Sequence, residues 1–578
     1  MPVPAERAAI WLGLRAASRF LLIVFLTTGS VDRVSAGSNI TMVAFGPRVV
    51  VPGQNSGASN GDTWDAAWSA DDTLYFQHND GTGFSNGAYA HDRICRLQGT
   101  PQVPGGLSGT DLNPGVLGNG LNGSPCYSTG TYEVDGALYH CVCYSQQVPG
   151  NWVFHHTSVL KSVDGGRNWM NHLGQLNIMP PDNTSQCMFP SDDYGEVNFV
   201  KYGRGGTAPP IDNALTYVYL SAAWSDLRLA RIARSDLPKL DKSKLQFYAG
   251  GDGMLDSSWT RDITRSAPVP APTVSPTAII YDPALGRYLM TSFSSDSWQT
   301  PPIESTLRVM EALHPWGPWT LALDENVNNF EGDNLTWAYL VPKFTSQDGR
   351  KAWMSVSGRA PYGLQFLPVY LTTEPVQTQE AENAIIVGGS TANAKAGYSG
   401  SGYVTGLDAI GKRCEFTFNV GTGGVYILRF RYNTSAYRDL GLHVNHQSRG
   451  LLKLGKSEQV YATWTDMSVL TWLTAGTNLI ALQCDDASGN VNLDKLSLAL
   501  YSTSAVRELS ARPVGAANGV AVTLETIPGL AYSLAWNSDL ASGGTWQTVT
   551  NFIGDGGAFS WTRTSLSPAG FLRIVASQ

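Results

Sequence analysis

The stretch Thr73-Leu74-Tyr75-Phe76 is a short β-run with an aromatic residue at its centre, and the pattern returns four times. The other four runs are Ala137-Leu138-Tyr139-His140, Tyr217-Val218-Tyr219-Leu220, Arg287-Tyr288-Leu289-Met290 and Lys351-Ala352-Trp353-Met354. The central aromatics stand at positions 75, 139, 219, 288 and 353, so the steps between them are 64, 80, 69 and 65 residues. Repeats of roughly 70 residues with about four strands each are typical of propeller blades. The sequence therefore predicts a five-bladed β-propeller over residues 37–373, with one large sandwich or barrel as the alternative.

The composition of the chain favours an all-β protein of several domains. Its 578 residues exceed the roughly 100–200 residues of one domain, and 61 Gly with 31 Pro supply many turns. Charged residues make up only 15% of the chain, whereas 43% of the residues are hydrophobic. That share is enough for packed cores and excludes global disorder. The net charge of −8, without a Lys/Arg-rich run, argues against a nucleic-acid partner.

Residues 1–36 have the order of a secretory signal peptide. Arg7, Arg15 and Arg19 precede the apolar run Phe20–Leu26, and Val34-Ser35-Ala36 ends in a small-x-small pattern. A charged, then apolar, then small-residue order directs export. The apolar run is far shorter than the roughly 20 residues that span a bilayer. We therefore expect cleavage near Ala36, no membrane span, and a protein that is extracellular or periplasmic.

The seven cysteines could form disulfides in an exported protein. Five of them lie in the first half of the chain, which leaves at least one unpaired there. Cys414 and Cys484 lie close to each other in the second half and are a plausible bridge within one domain. None of the spacings matches a zinc site.

One short motif strengthens the propeller prediction. The stretch Ser162-Val-Asp164-Gly-Gly166-Arg-Asn-Trp169 fits S-x-D-x-G-x-x-W, the Asp-box hairpin of sialidase-like propellers. In such a turn the hydroxyl and carboxylate cap backbone N–H groups, glycine permits a positive φ, and the Trp fills the blade. We therefore expect Asp164 to have a structural role and not a catalytic one.

The region 45–373 resembles domain-of-unknown-function family 4185. The resemblance rests on Asp62-Thr-Trp64, Trp68–Tyr75, Asn79–Phe84, Tyr217–Tyr219, Leu229–Arg231, Phe247–Gly250, Ser258–Thr260, Tyr281–Leu289 and Glu311–Thr320. Members of that family are similar to five-bladed glycoside hydrolases, and some are endo-acting arabinanases. The resemblance therefore implies a propeller fold and a polysaccharide or oligosaccharide as the partner.

Two further β units follow a polar linker at Thr372–Gln379. Residues 374–501 resemble carbohydrate-binding module families 6 and 35 in the order of several motifs: Glu380-Ala-Glu382, Gly388-Gly389, Tyr398–Val404, Gly424–Tyr432, Ala475–Asn478 and Val491–Asp494. The resemblance implies a β-sandwich of the jelly-roll type. Residues 502–578 contain short β-runs divided by turn residues and predict a small fibronectin-like β domain.

The resemblance to the binding modules also implies two sites in residues 374–501. Glu380, Glu382 and Asp494 would contribute to a structural Ca²⁺ site, since calcium prefers six to eight oxygen ligands; solvated strand-end acids are the alternative. A sugar site would lie at the loop end, where an aromatic face stacks on a pyranose and amides bind its hydroxyls. Tyr403, Asn492 and Trp472 are the candidates for that site, whereas Trp464 is expected in the core.

Catalysis is expected from carboxyl groups in the propeller. Glycoside hydrolysis needs a carboxylic acid of raised pKa and a second carboxylate as base or nucleophile. Asp62 and Asp80 flank the β-run at 73–78, and Asp193 and Glu196 precede the β-run at 197–200. These four residues, in this order, are the predicted catalytic candidates. The sequence thus favours a secreted, monomeric glycoside hydrolase targeted by a carbohydrate-binding module.

Two other functions stay open at this point. A polysaccharide lyase would use a His/Tyr pair, for which His78, His91 and His140 with a neighbouring Tyr are available. A non-catalytic propeller that only adheres to glycans is the other alternative. No H-E-x-x-H zinc motif occurs in the chain.

Overall fold

The computed structural model describes most of the chain, and what it describes is β-structure with short 3₁₀ turns. It covers residues 9–15, 39–53, 59–85, 87–112, 126–148, 151–178, 186–223, 226–272, 278–295, 305–326, 335–359, 361–457, 464–486, 490–514, 519–537, 545–563 and 569–577. The 3₁₀ helices are Asp192–Tyr194, Arg204–Gly206, Leu237–Lys239, Lys242–Lys244, Asp256–Ser258, Ile263–Arg265, Pro342–Phe344 and Ala381–Asn383. The described ranges contain no α-helix, so the all-β prediction is confirmed. A membrane-crossing helix is accordingly not found in these ranges.

The first 372 residues contribute 23 strands. In chain order they are β1 (Ala9–Arg15), β2 (Met42–Phe45), β3 (Val49–Val50), β4 (Asn60–Asp62), β5 (Ala66–Trp68), β6 (Leu74–Gly83), β7 (Arg93–Gln98), β8 (Ser108–Asp111), β9 (Cys126–Val134), β10 (Ala137–Val148), β11 (Asn151–Ser162), β12 (Val197–Lys201), β13 (Tyr217–Ala223), β14 (Leu227–Ala233), β15 (Gln246–Tyr248), β16 (Trp259–Thr260), β17 (Ala278–Asp282), β18 (Arg287–Ser295), β19 (Ser305–Ala312), β20 (Thr320–Asn326), β21 (Thr336–Leu340), β22 (Lys351–Arg359) and β23 (Tyr362–Thr372). Apart from β1, all of them belong to five successive sheets.

The five sheets follow the order of the chain. The first contains β4, β6, β7 and β8, with β5 also beside β6, and the second contains β9, β10 and β11. The third runs from β12 to β16 and the fourth from β17 to β20; the two are joined edge to edge by the short parallel pairing of β12 with β17, and Glu325 of β20 pairs in the same way with Asp466 of the next unit. The fifth orders β21, β22, β23 and β2, so its outermost strand comes from the beginning of the region. The five repeated aromatics Tyr75, Tyr139, Tyr219, Tyr288 and Trp353 lie on β6, β10, β13, β18 and β22. Each repeat therefore corresponds to one sheet.

Each sheet packs on the next through buried apolar side chains, because alternate residues of a strand point to opposite faces. One core lies between the first and second sheets, and others lie between the second and third, the third and fourth, and the fourth and fifth. A further core joins the fifth sheet to the first through residues such as Phe366, Trp353 and Trp64. The order of contacts is therefore cyclic.

The Asp-box motif caps a turn after β11, as its sequence predicts. Ser162 Oγ accepts from the Gly166 N–H at 2.9 Å, and Asp164 Oδ1 accepts from the Asn168 N–H at 3.0 Å. Trp169 is buried in the core between the first and second sheets. The carboxylate of Asp164 is thus engaged in holding the turn.

Residues 377–502 form a two-sheet sandwich. Its strands are β24 (Gln377–Glu380), β25 (Ile385–Val387), β26 (Ser390–Ala392), β27 (Tyr403–Thr405), β28 (Arg413–Val420), β29 (Gly424–Asn433), β30 (Arg438–Val444), β31 (Gln447–Leu454), β32 (Thr465–Leu473), β33 (Gly476–Gln483) and β34 (Asn492–Ser502). One sheet orders β32, β29, β34, β27 and β26, with β24 on β34; the other orders β25, β28, β33, β30 and β31. The two sheets enclose one large apolar core, as expected for a β-sandwich.

The last strands form two small sheets. They are β35 (Arg507–Val514), β36 (Gly519–Glu525), β37 (Ala531–Asn537), β38 (Gln547–Ile553), β39 (Ala558–Arg563) and β40 (Ala569–Ser577). β1 pairs antiparallel with β40, so Ala9–Arg15 lies on this last unit. These seven residues belong to the predicted signal peptide; residues 1–8 and 16–38, which include its apolar run and cleavage pattern, lie outside the described residues.

All seven cysteines are buried, and Cys95, Cys141, Cys143, Cys414 and Cys484 are free thiols. The bridge considered between Cys414 and Cys484 is not formed. Cys414 lies opposite Leu482 in the pairing of β28 with β33, so Cys484 lies two residues further along that strand. The Cys484 sulfur instead lies 2.7 Å from the Asp486 carbonyl oxygen.

Candidate functional site

Two of the predicted catalytic acids meet at one end of the first sheet. Asp62 is the last residue of β4 and lies opposite Asn79 of β6, so the next residue, Asp80, comes close to it. The backbone of Asp80 has a φ of 48°, a conformation that Asp tolerates better than most residues. Antiparallel pairing thus brings together two carboxylates that stand 18 positions apart in the sequence.

A tyrosine from the fifth sheet completes this pair. The Tyr362 hydroxyl donates to Asp62 Oδ2 at 2.9 Å, although the two residues are 300 positions apart. Burial, followed by the carboxylates of Asp62 and Asp80, raises the pKa of Tyr362. The phenol therefore keeps its proton and orients the Asp62 carboxylate.

Aromatic rings surround the second carboxylate. His91 Nδ1 lies 2.6 Å from Asp80 Oδ1. The His91 ring makes edge contacts with Tyr89 and Tyr127, at centroid distances of 5.2 and 5.6 Å. Tyr89 is 58% exposed, and burial of its phenol, with the Asp80 charge, raises its pKa. We call Asp62, Asp80, Tyr89, His91, Tyr127 and Tyr362 the acid–aromatic cluster.

Two buried charged residues hold the segment that carries Tyr89 and His91. Arg93 donates to the carbonyl oxygens of Thr82 and Ala88, at 2.8 and 2.5 Å. Asp111 accepts from the Phe84 and Ser85 N–H groups at 3.1 and 3.0 Å. Sequence reasoning did not identify either residue, because neither lies in a recognisable motif.

Glu196 lies immediately before β12 and is buried. Its Oε2 has no hydrogen-bond partner within the described part of the chain, and burial raises the pKa of this carboxyl well above its usual range. Burial, followed by the charges of Asp65, Glu196 and Asp62, raises the pKa of Tyr339. The charges of Glu196 and Asp62 thus both act on the Tyr339 phenol.

Asp193 does not belong to this group. Its carboxylate is half-exposed and forms an ion pair with Arg228 at 3.2 Å on β14, in the third sheet. The 3₁₀ turn at Asp192–Tyr194 directs the side chains of Asp193 and Glu196 to different environments, so the structure does not bring these two predicted residues together.

The three histidines considered for a lyase differ in their surroundings. His78 is fully buried, and burial lowers its pKa to about 4, so it is neutral at physiological pH. His140 is also buried and contacts Asp92 at 3.1 Å. His91 has a partly exposed side chain and is the one member of the three that lies in the acid–aromatic cluster.

In the sandwich, the three predicted calcium ligands flank one loop. The Ser399 hydroxyl donates to Glu380 at 2.6 Å and to Asp494 at 3.0 Å. Glu382 Oε1 accepts from the Ser401 N–H at 2.6 Å, while its Oε2 is buried without a partner among the described residues. Arg431 donates to Asp494 at 2.6 Å. Glu380 and Glu382 thus both lie beside Gly400 of this loop, and the described residues include no group of three or more metal-binding side chains around one point.

The predicted sugar-binding residues are separated. Tyr403 is only 5% exposed and packs on Trp464 at 5.3 Å. Asn492 donates to Asn433 Oδ1 at 3.0 Å at one end of β29. Trp472 pairs with Val425 near the other end of β29, eight residues or about 27 Å away at roughly 3.4 Å per residue. Trp472 instead packs against the core shared with the last unit, so it cannot share one sugar with Asn492.

Comparison with known proteins identifies the sandwich. Residues 377–501 match the family described as carbohydrate binding module (family 35), which confirms that part of the prediction. A 1,6-alpha-glucosyltransferase of Sporosarcina globispora is 36% identical over 130 residues, 22% of this chain and 10% of that protein. An exo-beta-D-glucosaminidase of Amycolatopsis orientalis is 31% identical over 183 residues, 30% of this chain and 17% of that protein. A solved family 35 module from Clostridium thermocellum is 28% identical and covers 22% of this chain and 97% of its own, with a TM-score of 0.21. The chain thus spans less than a fifth of the two curated relatives.

Proposed function

We propose that residues 37–373 form a five-bladed β-propeller that hydrolyses glycosidic bonds in a polysaccharide. The cyclic packing of the five sheets supports the propeller, as does β2, which joins the first and last parts of the region in one sheet. The resemblance to family 4185 points to the same fold. In a propeller, the sheets surround a central axis. A substrate that binds close to this axis would therefore meet side chains from several blades.

The proposed hydrolytic reaction rests on the acid–aromatic cluster. It places two carboxylates beside an exposed tyrosine, Tyr89, which can stack on a sugar ring. Asp62, oriented by Tyr362, is suited to act as base or nucleophile, with Asp80 beside it. Glu196 is the candidate general acid, because a carboxyl of raised pKa still holds its proton at neutral pH.

Three single substitutions test these roles on a panel of plant, algal and bacterial polysaccharides. We expect Asp62→Asn, Asp80→Asn and Glu196→Gln to lower the release of new reducing ends by about 10²–10⁴-fold, as is typical when a general acid or base is removed. Asp193→Asn is the matched control, since its ion pair with Arg228 lies outside the cluster. Equal activity of the Asp62→Asn and Asp193→Asn variants would contradict the assignment.

One observation also favours a second reaction, β-elimination by a lyase. His91 contacts Tyr89 and Tyr127 at its ring edges and Asp80 through Nδ1. Such a His/Tyr pair could remove a proton next to a uronic acid carboxyl. A lyase would generate products with an absorbing double bond, whereas a hydrolase generates new reducing ends alone. A glycan-binding propeller without activity would give neither product.

We propose that the family 35 module binds the polysaccharide at the end marked by Asn433 and Asn492, and that the protein acts outside the cytoplasm after loss of residues 1–36. Names of the relatives suggest α-1,6-linked glucans and glucosamine polymers as first substrates to examine.

A Ca²⁺ ion would fit the loop at Ser399–Gly402 through Glu380, Glu382 and Asp494. The buried, unpartnered Glu382 Oε2 supports this assignment, and the ion would supply structural stability to the loop.

A further inference from the structure

We propose that a single glycan chain occupies the family 35 module and the acid–aromatic cluster at the same time, because the module is fixed to the propeller with both sites on one side of the molecule. This inference rests on the proposed function. It differs from simple attachment to a polysaccharide, since a flexibly tethered module could bind any neighbouring chain. The orientation follows from two contacts at opposite ends of the module.

The first contact shows which end of the module lies away from the acid–aromatic cluster. β23 begins at Tyr362, in the acid–aromatic cluster, and ends ten residues later at Thr372. The Thr372 hydroxyl donates to the Leu500 carbonyl oxygen at 2.7 Å. Arg350, just before β22, donates to the Tyr501 carbonyl oxygen at 3.0 Å. The carboxyl end of β34 therefore lies at the end of the fifth sheet that is away from the cluster.

The second contact shows which end of the module lies on the same side as the acid–aromatic cluster. Glu325, one residue before the end of β20, pairs with Asp466 at the start of β32. The end of β20 lies on the side where β17 begins, because the four strands of this sheet are antiparallel in sequence order. β17 runs parallel to β12, and the start of β12 lies beside the cluster, because Thr129, two residues after Tyr127, donates to the Val197 carbonyl oxygen at 2.6 Å. Asp466 is therefore on the side of the cluster.

The register of the module then fixes its sugar-binding end. Arg431 of β29 lies opposite Asp466, and two residues further along, Asn433 lies opposite Asn492. The Asn433–Asn492 end is thus on the same side as the acid–aromatic cluster, while Leu500 is on the other. From β17 through β18, β19, β20, β32 and β29 to β34 there are six strand steps, or about 29 Å at roughly 4.8 Å per step.

The junction is built as one packed body. An apolar core combines Met42 and Tyr370 of the propeller, Ile427 of the module and Leu534 of the last unit. Arg429 of the module donates to the Ala322 carbonyl oxygen of β20 at 3.2 Å. Because the two sites keep a fixed separation, only a chain long enough to span them gains from binding both.

Oligosaccharide ladders of increasing length, prepared from dextran and from chitosan, test this inference. Binding is measured by calorimetry on the full-length Asp62→Asn variant, to prevent cleavage. We expect affinity to rise at least 10-fold once the chain spans both sites, since linked sites can raise affinity by as much as about 10²–10⁴-fold. We expect Asn492→Ala or Tyr89→Ala to abolish that rise while short chains keep binding to the intact site.

The outcomes separate this inference from the proposed function. The inference that one glycan chain occupies both sites is overturned alone by either of two outcomes. The first is a rise in affinity that survives Asn492→Ala. The second is a wild-type protein that cleaves either polymer but whose affinity does not rise with the length of the chain. A protein that binds and cleaves neither polymer overturns both. Tyr437 is an exposed residue between Asn433, the last residue of β29, and the start of β30. Independently of any glycan, spin labels at Tyr89→Cys and Tyr437→Cys should give one narrow distance distribution, and a broad distribution would refute the fixed orientation.

Discussion

The carboxyl of Glu325 makes the junction between propeller and module less stable as the pH rises from 4.5 to about 8. Glu325 is buried where β20 meets β32, and its Oε2 has no partner among the described residues. Burial first, with the Asp466 charge adding to it and Arg429 opposing it, raises the pKa of Glu325 from 4.5 to about 8. The folded protein therefore holds a proton there over a pH range in which the unfolded chain has lost it.

The sign and size of the effect follow from this difference. Because the folded state binds more protons than the unfolded state, stability is greatest below the unfolded pKa and falls as pH rises through the folded pKa. The window runs from pH 4.5 to about 8. A shift of roughly 3.5 units at about 1.4 kcal/mol per unit corresponds to a loss on the order of 5 kcal/mol.

The variant Glu325→Gln keeps the shape of the side chain and removes the titration. We expect urea unfolding, followed by tryptophan fluorescence between about pH 5 and pH 9, to show a steeper loss of stability in the wild type than in the variant, which keeps only the loss due to other buried carboxyls such as Glu196. Asp408→Asn is the control, since Asp408 is exposed and pairs with Lys412. Parallel pH profiles of wild type and Glu325→Gln would refute the reasoning.

Three further outcomes are expected. Glu525→Gln should destabilise the full chain by about 3–5 kcal/mol, because it leaves the buried Lys351 and Arg507, both 3.0 Å from this carboxylate, without their charge partner; an unchanged melting temperature would argue against it. A chelator should lower the melting temperature of the full-length protein, and Glu382→Gln should remove that response; a melt unaffected by chelator, with no calcium in the purified protein, would exclude the Ca²⁺ site. Gly400→Ala should weaken glycan retention by the module and lower its stability, since residue 400 has a φ of +66° and an added Cβ would lie 2.3 Å from Glu382 Oε1; normal retention and melting would show that the loop tolerates the change.

Local patterns in the sequence were sufficient for much of the architecture. The spacing of Tyr75, Tyr139, Tyr219, Tyr288 and Trp353 predicted one sheet per repeat, since a strand and its turn are decided by neighbouring residues. The order of motifs after Glu380 identified the family 35 module for the same reason. Asp62 and Asp80 were found because both flank one β-run, and antiparallel pairing brings such residues together.

Other parts of the candidate site depend on pairing between segments far apart in the chain. Nothing local to Tyr362 shows that its hydroxyl reaches Asp62, and Asp193 looks as suitable as Glu196 until Arg228 is seen beside it. Trp472 resembles a sugar platform in the sequence, but the register of β29 places it at the far end of the module from Asn492.

The sequence by itself determined the all-β character, the five repeated β-runs and the identity of the binding module, because these follow from alternation, turns and motifs within short stretches. Only the tertiary structure decided which carboxylates meet, which of them is buried, and which side of the molecule the module faces. Those properties arise from the register of distant strands and from desolvation in a shared core, such as the pairing of Glu325 with Asp466. Neither the register of distant strands nor the desolvation of a carboxyl can be predicted from the residues of a single segment.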